Sequence, residues 1–417
     1  MQSLKLRTWP TDTNRVNIVN KMLYPNRTLL ILLAFSLWIR PIEAHHTAEH
    51  QDNDVKPVPQ QKKTYHEILQ RNKAILQAYE EFEEKSAQVW GTDTVVPSAK
   101  TSVTYHNNMN QRSVVDFEQG KVKVELALSD AHDPRAAEHH LANAVEATLL
   151  QGPDERSIID IAKNPDAPKS NKPPILEGLV AKDDGTPLTP GEIDEFKKQK
   201  ARAMLKRPIV GKDGKKRIII STEFELVPNH IRKRAERFRD AVNENALLHH
   251  IPTHLIYAIM ETESYFNPTA KSPVPAFGLM QLVPGTGARD AYKFLYSKDV
   301  VVKDTYLYDA ENNIELGVAY LHILYYRYLK RIKDPASRQW ATIAAYNTGV
   351  HNVVRSFSGE YTKAKYASRW SWKRQAINKI NKMKPEQVYQ HLRKYLPHEE
   401  TRSYIKKVRE SMPKYIT

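Results

Sequence analysis

No cysteine occurs anywhere in the 417 residues. That absence excludes disulfides, thiolate metal sites, a cysteine nucleophile and a cysteine-borne lipid, although it assigns no compartment. No Gly-x-Gly-x-x-Gly run and no Gly-Lys phosphate loop is present, so nucleotide-binding chemistry has no motif to rest on. The pairs His45-His46, His139-His140 and His249-His250 lack the i, i+4 spacing and the neighbouring carboxylate of a zinc helix. Neither a metal nor another cofactor is expected. "KDDGTP" and "GKDGKK" are turn chemistry and not calcium loops. No internal repeat is evident, and the basic residues are scattered outside any nucleic-acid-binding module, so nucleic acid is not an expected partner.

What is present is a large positive excess, +15 at neutral pH with a pI near 9.5. Taken alone it suits an acidic membrane surface, nucleic acid or a polyanionic wall polymer, or a solvated basic surface with no partner. The amino terminus points outward from the cell. Arg27 precedes an apolar core from Leu29 to Ile39, Arg40-Pro41 breaks it, and Ile42 to Ala44 has the small-residue pattern of a signal-peptidase site. The core is short for a membrane span. Residues 1–44 are therefore expected to be an export signal cut after Ala44, with retention as an anchor the alternative and Met22 an alternative start.

Residues 45–63 are polar and Pro-containing, and disorder is expected there. Ile68, Ile75, Tyr79 and Phe82 recur at helical spacing between Tyr65 and Trp90. Val115 and Phe117, then Val122, Val124 and Leu126, alternate about Gln119-Gly120 as a hairpin. Asp133 and Pro134 open a helical stretch that runs to Leu150, and Arg217 to Pro228 reads as a strand. Beyond Pro228 the pattern is helical throughout. The expected architecture is α+β: a small mixed α/β amino-terminal domain at 64–227, then a mainly α-helical domain at 228–417.

The stretch "LIYAIMETESYFNP" (Leu255 to Pro268) holds two glutamates two residues apart. At about 100° per residue, Glu263 falls within the apolar stripe of Ile256, Ile259 and Met260, whereas Glu261 points nearly opposite, beside Tyr257 and His254. On a helix the two cannot face one substrate. Asn267-Pro268 is expected to stop that helix. A carboxyl at the end of a buried stripe resists ionisation, which suits a general acid near neutral pH. A glutamate escaping past the helix end is the alternative.

The order Glu-Ser-x-Phe-x-Pro-x-Ala-x-Ser from Glu263 to Ser272, followed by Gly-Leu-Met-Gln-Leu-x-Pro-x-Thr from Gly278 to Thr286, resembles the soluble-type, goose-lysozyme-like lytic transglycosylases. "AAYNTG" (Ala344 to Gly349) and "EETRSYIKKV" (Glu399 to Val408) are similar to that family's second and third motifs. The preceding "VVDFEQGKVKVE" and "ELVPNHIRKRAERF" resemble the C-type membrane-bound members. The resemblance covers about residues 65 to 415. It implies a lysozyme-like catalytic domain, peptidoglycan glycan strands as substrate, and cleavage of the β-1,4 bond between N-acetylmuramic acid and N-acetylglucosamine with a 1,6-anhydro product.

That reaction needs one catalytic carboxyl, where ordinary glycosidases use two, roughly 5 to 9.5 Å apart. The resemblance places the acid/base at Glu263 and glycan-binding groups at Ser272, Gln281, Tyr346, Asn347, Tyr404 and, by a weaker match, Glu400. Each has a plainer reading: Gln281 capping a loop, Asn347 serving the turn before Gly349, Tyr404 packed in the core. The tyrosines between Tyr320 and Lys330 are expected to pack rather than to bind sugar. An insertion at 361–374, with Tyr361, Tyr366, Trp370 and Trp372 among basic residues, offers extra glycan contact or a bare surface loop. A periplasmic location follows from the resemblance. Membrane association stays open, but not through a lipidated cysteine, and oligomeric state is unassigned. A hydrolytic muramidase and a non-catalytic wall-binding protein are the alternatives.

Overall fold

Alternation about Gln119-Gly120 produces the expected hairpin in the computed structural model, which describes residues 59–129, 133–358 and 369–416. The export signal expected at 1–44, the polar segment to residue 58, and the side chains of Tyr361, Tyr366, Trp370 and Trp372 lie outside the described residues. Helix α1 (Pro59–Trp90) starts earlier than its apolar spacing suggested. Strands β1 (Thr101–His106), β2 (Gln111–Asp116) and β3 (Lys121–Leu128) follow as an antiparallel meander, with Val115 opposite Val122 and Gln111 opposite Leu126. Gly120 takes φ +68° in the hairpin turn, and a Cβ there would lie 2.7 Å from the His230 ring, so both conformation and space demand glycine.

Helix α2 (Pro134–Leu149) is capped by Asp133, whose carboxylate accepts from Arg135 N, with Pro134 in the first turn. Helices α3 (Ile158–Lys163) and α4 (Ile193–Arg202) lead to β4 (Leu205–Val210) and β5 (Lys216–Glu225). The sheet order is β1-β2-β3-β5-β4, antiparallel at every pairing. Strand β4, "LKRPIV", is mostly exposed at the sheet edge and carries Pro208, which is why alternation did not reveal it.

The sheet is covered on both faces. Val122, Val124, Leu126, Ile220 and Phe224 pack with Leu141, Val145 and Leu149 of α2 and Phe196 of α4. On the other face, Tyr105, Ala127 and Ile219 join Ile75, Tyr79, Phe82 and Trp90 of α1. That second core continues without a break into the helical part as far as Met412, and Pro57–Thr417 form one compact unit.

From His230 onward the chain is helical: α5 (His230–Glu236), α6 (Arg239–His249), α7 (Thr253–Ser264), α8 (Gly287–Tyr296), α9 (Asp304–Leu307) and α10 (Ala310–His322). A π-helical segment, Ile323–Tyr328, prolongs α10. Then come α11 (Pro335–Thr348), α12 (Val350–Phe357), α13 (Arg369–Ile380), α14 (Pro385–Tyr395) and α15 (Glu399–Ser411), closed by a 3₁₀ turn at Met412–Tyr415. Helix α7 buries most of its side chains within this bundle. Leu255, Ile256, Ile259 and Met260 are all buried, each worth about 1.5–3 kcal/mol of transfer free energy before entropy is charged against it. No helix among the described residues is long and apolar enough to cross a membrane.

Candidate active site

Helix α7 delivers Glu263 in its last turn. The helix ends at Ser264, before the Asn267-Pro268 stop read from the sequence, because Tyr265 (φ 48°) and Phe266 (φ 58°) both adopt the left-handed conformation. Two bulky residues there are strained, so other contacts must hold them. Phe266 is buried against the Tyr257 and Tyr415 rings, and the Tyr265 hydroxyl donates to Glu118 of the β2–β3 turn at 2.9 Å.

Glu261 leaves the helix on the other side, as helical phase requires. That side is covered too. Its carboxylate accepts from Ser411 Oγ (2.6 Å), Lys414 Nζ (2.5 Å) and Tyr415 Oη (2.7 Å), and so fastens the carboxy-terminal turn to α7. Glu261 is a structural anchor.

The loop 277–281 passes beside Glu263, and its carbonyls account for several side chains at once. Phe277 O accepts from Asn313 Nδ2 at 2.9 Å, Gly278 O from Gln281 N (3.1 Å) and Nε2 (3.0 Å), Leu279 O from Ser264 Oγ at 2.7 Å, and Met280 O from Tyr346 Oη at 2.7 Å. Asn313, wholly buried on α10, also accepts from Met280 N at 2.8 Å and donates to Leu307 O at 2.8 Å. Gly278, at φ +75°, lies so close to α9 and α10 that a Cβ would sit 2.1 Å from Leu307 O. Phe277, Leu279 and Met280 are each tied to a helix, and Gly278 is closed onto Gln281 within the turn. The turn is rigid before any ligand arrives.

Around the carboxyl, Tyr346 at the end of α11 and Tyr404 on α15 are both buried. Tyr404 Oη faces Glu263 but makes no hydrogen bond of regular geometry with any described group. Glu263 keeps partial contact with solvent yet is densely surrounded, as a group on a cleft floor would be. Desolvation pushes its pKa from 4.5 up to about 8; the exposed Glu400 adds to the rise, while the Tyr404 hydroxyl and the Lys100 ammonium oppose it. Burial, and next the Glu263 charge, hold both phenols far above the usual tyrosine range. A carboxyl that stays protonated at neutral pH, flanked by protonated phenols, can donate a proton and take one back.

Of the residues expected from the sequence, Glu263, Tyr346, Tyr404 and Glu400 are brought together: Tyr404 and Glu400 act on the Glu263 carboxyl, and its charge in turn acts on Tyr346. Gln281, itself at φ 46°, adjoins them on the turn, where its amide donates to Gly278 O and, at 3.4 Å, to Ala270 O. Its loop-capping role is therefore real. Ser272 and Asn347 are half-buried, and their side chains make no hydrogen bond with any described residue, so those polar groups are available to a ligand. Tyr320, assigned to packing, stacks obliquely on Tyr346 at 5.6 Å and thereby borders the site.

Three supporting residues escaped the sequence reading. Asn313 was hidden within a helix, where a buried polar residue amid apolar neighbours was the available signal, and Ser264 stood in the first motif without an assigned role. Lys271 is buried beside Ser272: its ammonium donates to Asp154 O (2.7 Å) and Thr269 O (3.2 Å) and lies 4.2 Å from the centre of the Tyr308 ring. Burial lowers its pKa to about 8, with Asp154 and Asp304 opposing. Lys271 pins the Ser272 loop to the sheet part of the molecule.

Residues 68–237 match the family model described as "Membrane-bound lytic murein transglycosylase C, N-terminal domain", and residues 240–368 match "Transglycosylase SLT domain". The membrane-bound lytic murein transglycosylase C of Salmonella arizonae is 34% identical over 337 residues, 80% of this chain and 87% of that protein. Its counterpart in Yersinia enterocolitica is also 34% identical, over 80% of this chain and 88% of its own. Among solved structures, the 70 kDa soluble lytic transglycosylase of Escherichia coli shares 28% identity over 44% of this chain and 25% of its own length, with a TM-score of 0.31.

Proposed function

Since this chain belongs to the membrane-bound lytic murein transglycosylase C family, we propose that Glu263 performs both proton transfers of lytic transglycosylation on peptidoglycan. The protein cleaves the β-1,4 bond between N-acetylmuramic acid and N-acetylglucosamine. Glu263 gives its proton to the glycosidic oxygen as the C1–O bond breaks, with the electron pair leaving on that oxygen. The carboxylate then takes the proton from the muramyl 6-hydroxyl as O6 bonds to C1 and closes the 1,6-anhydro ring. Atoms balance without water.

The observation that carries this reading is one carboxyl held protonated to about pH 8 in a site lined by Tyr346 and Tyr404. A carboxyl whose pKa lies this close to neutrality can both give up and recover a proton, which is what alternating acid and base roles require. Tyr404, whose hydroxyl has no other partner, orients the carboxyl. Ser272, Gln281 and Asn347 take the sugar and its N-acetyl group, and Glu400 lies at the rim. Tyr346 supports the turn through Met280 O. The domains divide near Val227-Pro228, and export precedes action in the periplasm, with residues 1–44 as the signal. The relatives are named membrane-bound; a lipidated cysteine is not the route here, since the chain has none.

Digestion of purified sacculi tests the reading. The full chain is expected to release 1,6-anhydromuramyl products, and Glu263→Gln to release none. Products heavier by one water would show hydrolysis instead, and binding to sacculi without release would show a wall-binding protein.

A further inference from the structure

The segment that carries Ser272 is fastened from outside the helical part of the molecule. Lys271 and Phe277 face each other as an isolated antiparallel bridge, and Ala270 O accepts from Gly278 N at 3.0 Å, so the segment lies flush against the turn beside Glu263. Pro273 and Pro275 follow Ser272 and offer no N–H with which to secure the loop between them. Lys271, only 4% exposed, supplies the fastening. Its ammonium donates to Thr269 O at 3.2 Å within the segment and to Asp154 O at 2.7 Å, 117 residues earlier in the chain. It lies 4.2 Å from the centre of the buried Tyr308 ring, which meets the Phe277 ring edge-on at 5.9 Å.

Asp154 O is a fixed acceptor. The Asp154 carboxylate is gripped by Arg156 through Nε (2.9 Å) and Nη2 (2.7 Å), and it also accepts from Arg156 N at 3.1 Å. Arg156 Nη1 donates to Asn164 O at 2.8 Å, at the end of α3. Helix α3 buries Ile158, Ile161 and Ala162 in the core that α1 shares with the sheet, and Lys85 of α1 donates to Ala162 O at 2.5 Å. A run of short contacts thus leads from the amino-terminal core through Arg156, Asp154 and Lys271 to the backbone of Ser272.

We propose that Lys271 is a positioning residue for glycan binding, the side chain through which the amino-terminal domain sets where the Ser272 hydroxyl stands in the cleft. The inference rests on Ser272 being a glycan-binding group. A serine hydroxyl has one torsion of its own, so its place in a binding site is decided by its backbone. A desolvated ammonium is costly unless its acceptors stay in place, and it therefore resists displacement from Asp154 O and Thr269 O. Because the segment is ordered before the glycan arrives, binding does not have to order it. Glu263 is placed by α7, a different element, so the effect belongs to binding and not to proton transfer.

Two measurements on the full chain test the role. One is kcat and KM for release of anhydromuramyl product from soluble glycan strands; the other is the Kd of the same strands for the Glu263→Gln protein, read by calorimetric titration. Lys271→Met is expected to raise KM and Kd about fivefold, the loss of roughly one hydrogen bond to the sugar. Its kcat is expected to stay within about twofold of the parent. Arg156→Gln, at a partly exposed side chain, loosens Asp154 and leaves Lys271 intact. It is expected to move KM and Kd the same way by a smaller factor, and it keeps the test decisive if Lys271→Met does not fold. Ser272→Ala alone is expected to raise Kd about fivefold. Adding Lys271→Met to it should raise Kd by less than about twofold more, because the lysine acts through the serine. A parental Kd in Ser272→Ala overturns the glycan-binding reading of Ser272, and the inference with it. If Ser272→Ala is weakened, the role of Lys271 alone is overturned by an unchanged Kd in Lys271→Met and Arg156→Gln. Effects of Lys271→Met and Ser272→Ala that multiply in full, or a loss that falls on kcat instead of KM, overturn it equally.

Discussion

Replacing Glu263 by glutamine should make the protein more stable, and increasingly so as pH rises. In the folded chain the carboxyl titrates near 8 against an ordinary value of 4.5, with desolvation the main cause. Below about pH 4.5 both the folded and the unfolded state carry the proton, and the group costs nothing. Between the two values the unfolded chain releases it and the folded chain retains it, so stability falls as pH rises. Above about 8 the loss is complete and constant. At 1.36 kcal/mol per unit, the full interval is worth at most roughly 4–5 kcal/mol, and solvent reaching Glu263 reduces it. Glutamine has nearly the same shape and no proton to lose. Urea unfolding of both proteins, at about pH 5 and about pH 9, isolates the term, because every other titrating group cancels in the difference. The glutamine variant should gain about 2–4 kcal/mol on its parent between those conditions. A difference that does not change with pH would refute the buried, protonated acid, and with it the argument that this carboxyl is tuned for proton transfer.

Three further outcomes follow from the same contacts. Glu261→Ala removes the acceptor of Ser411, Lys414 and Tyr415 and should cost about 3 kcal/mol, read as a lower unfolding midpoint, while the alkaline limb of the pH profile stays where it was. Gly278→Ala places a methyl group against Leu307 O at a positive φ and should cost more than about 3 kcal/mol, detectable by calorimetry or as loss of soluble protein. Tyr404→Phe deletes the hydroxyl that favours the ionised carboxyl, so the alkaline limb should move upward and kcat should fall about tenfold or more, with the thermal midpoint nearly unchanged because the hydroxyl has no other partner.

Much of the site was legible in the residues themselves, and the reasons are local. Helical phase alone separates Glu263 from Glu261, since successive side chains rotate by a constant angle whatever the helix packs against. Asp133-Pro134 announced α2, and alternation about Gln119-Gly120 announced the hairpin, because caps and turns act within a few residues. The resemblance of the three motifs brought in Tyr346 and Tyr404. Less visible was the end of α7. Asn267-Pro268 is a local stop, but Ser264 finds a partner fifteen residues on at Leu279 O, and Tyr265 finds one at Glu118 in the sheet. Those distant bonds hold the two left-handed residues that end the helix sooner.

The sequence by itself determined that one carboxyl would lie in the apolar stripe of a helix and that its neighbour would not, along with the α+β order of elements and the family to which the chain belongs. Periodicity, turn chemistry and motif spacing are properties of short stretches, and they survive without knowledge of what lies across the molecule. Only the tertiary structure decided how far Glu263 is desolvated, that Glu261 anchors the carboxy terminus, and that Asn313 and Lys271 hold the loops around it. Each of these is a sum of contacts between groups far apart in the chain. Desolvation and Coulomb interactions depend on what surrounds a group in space, which no local pattern encodes.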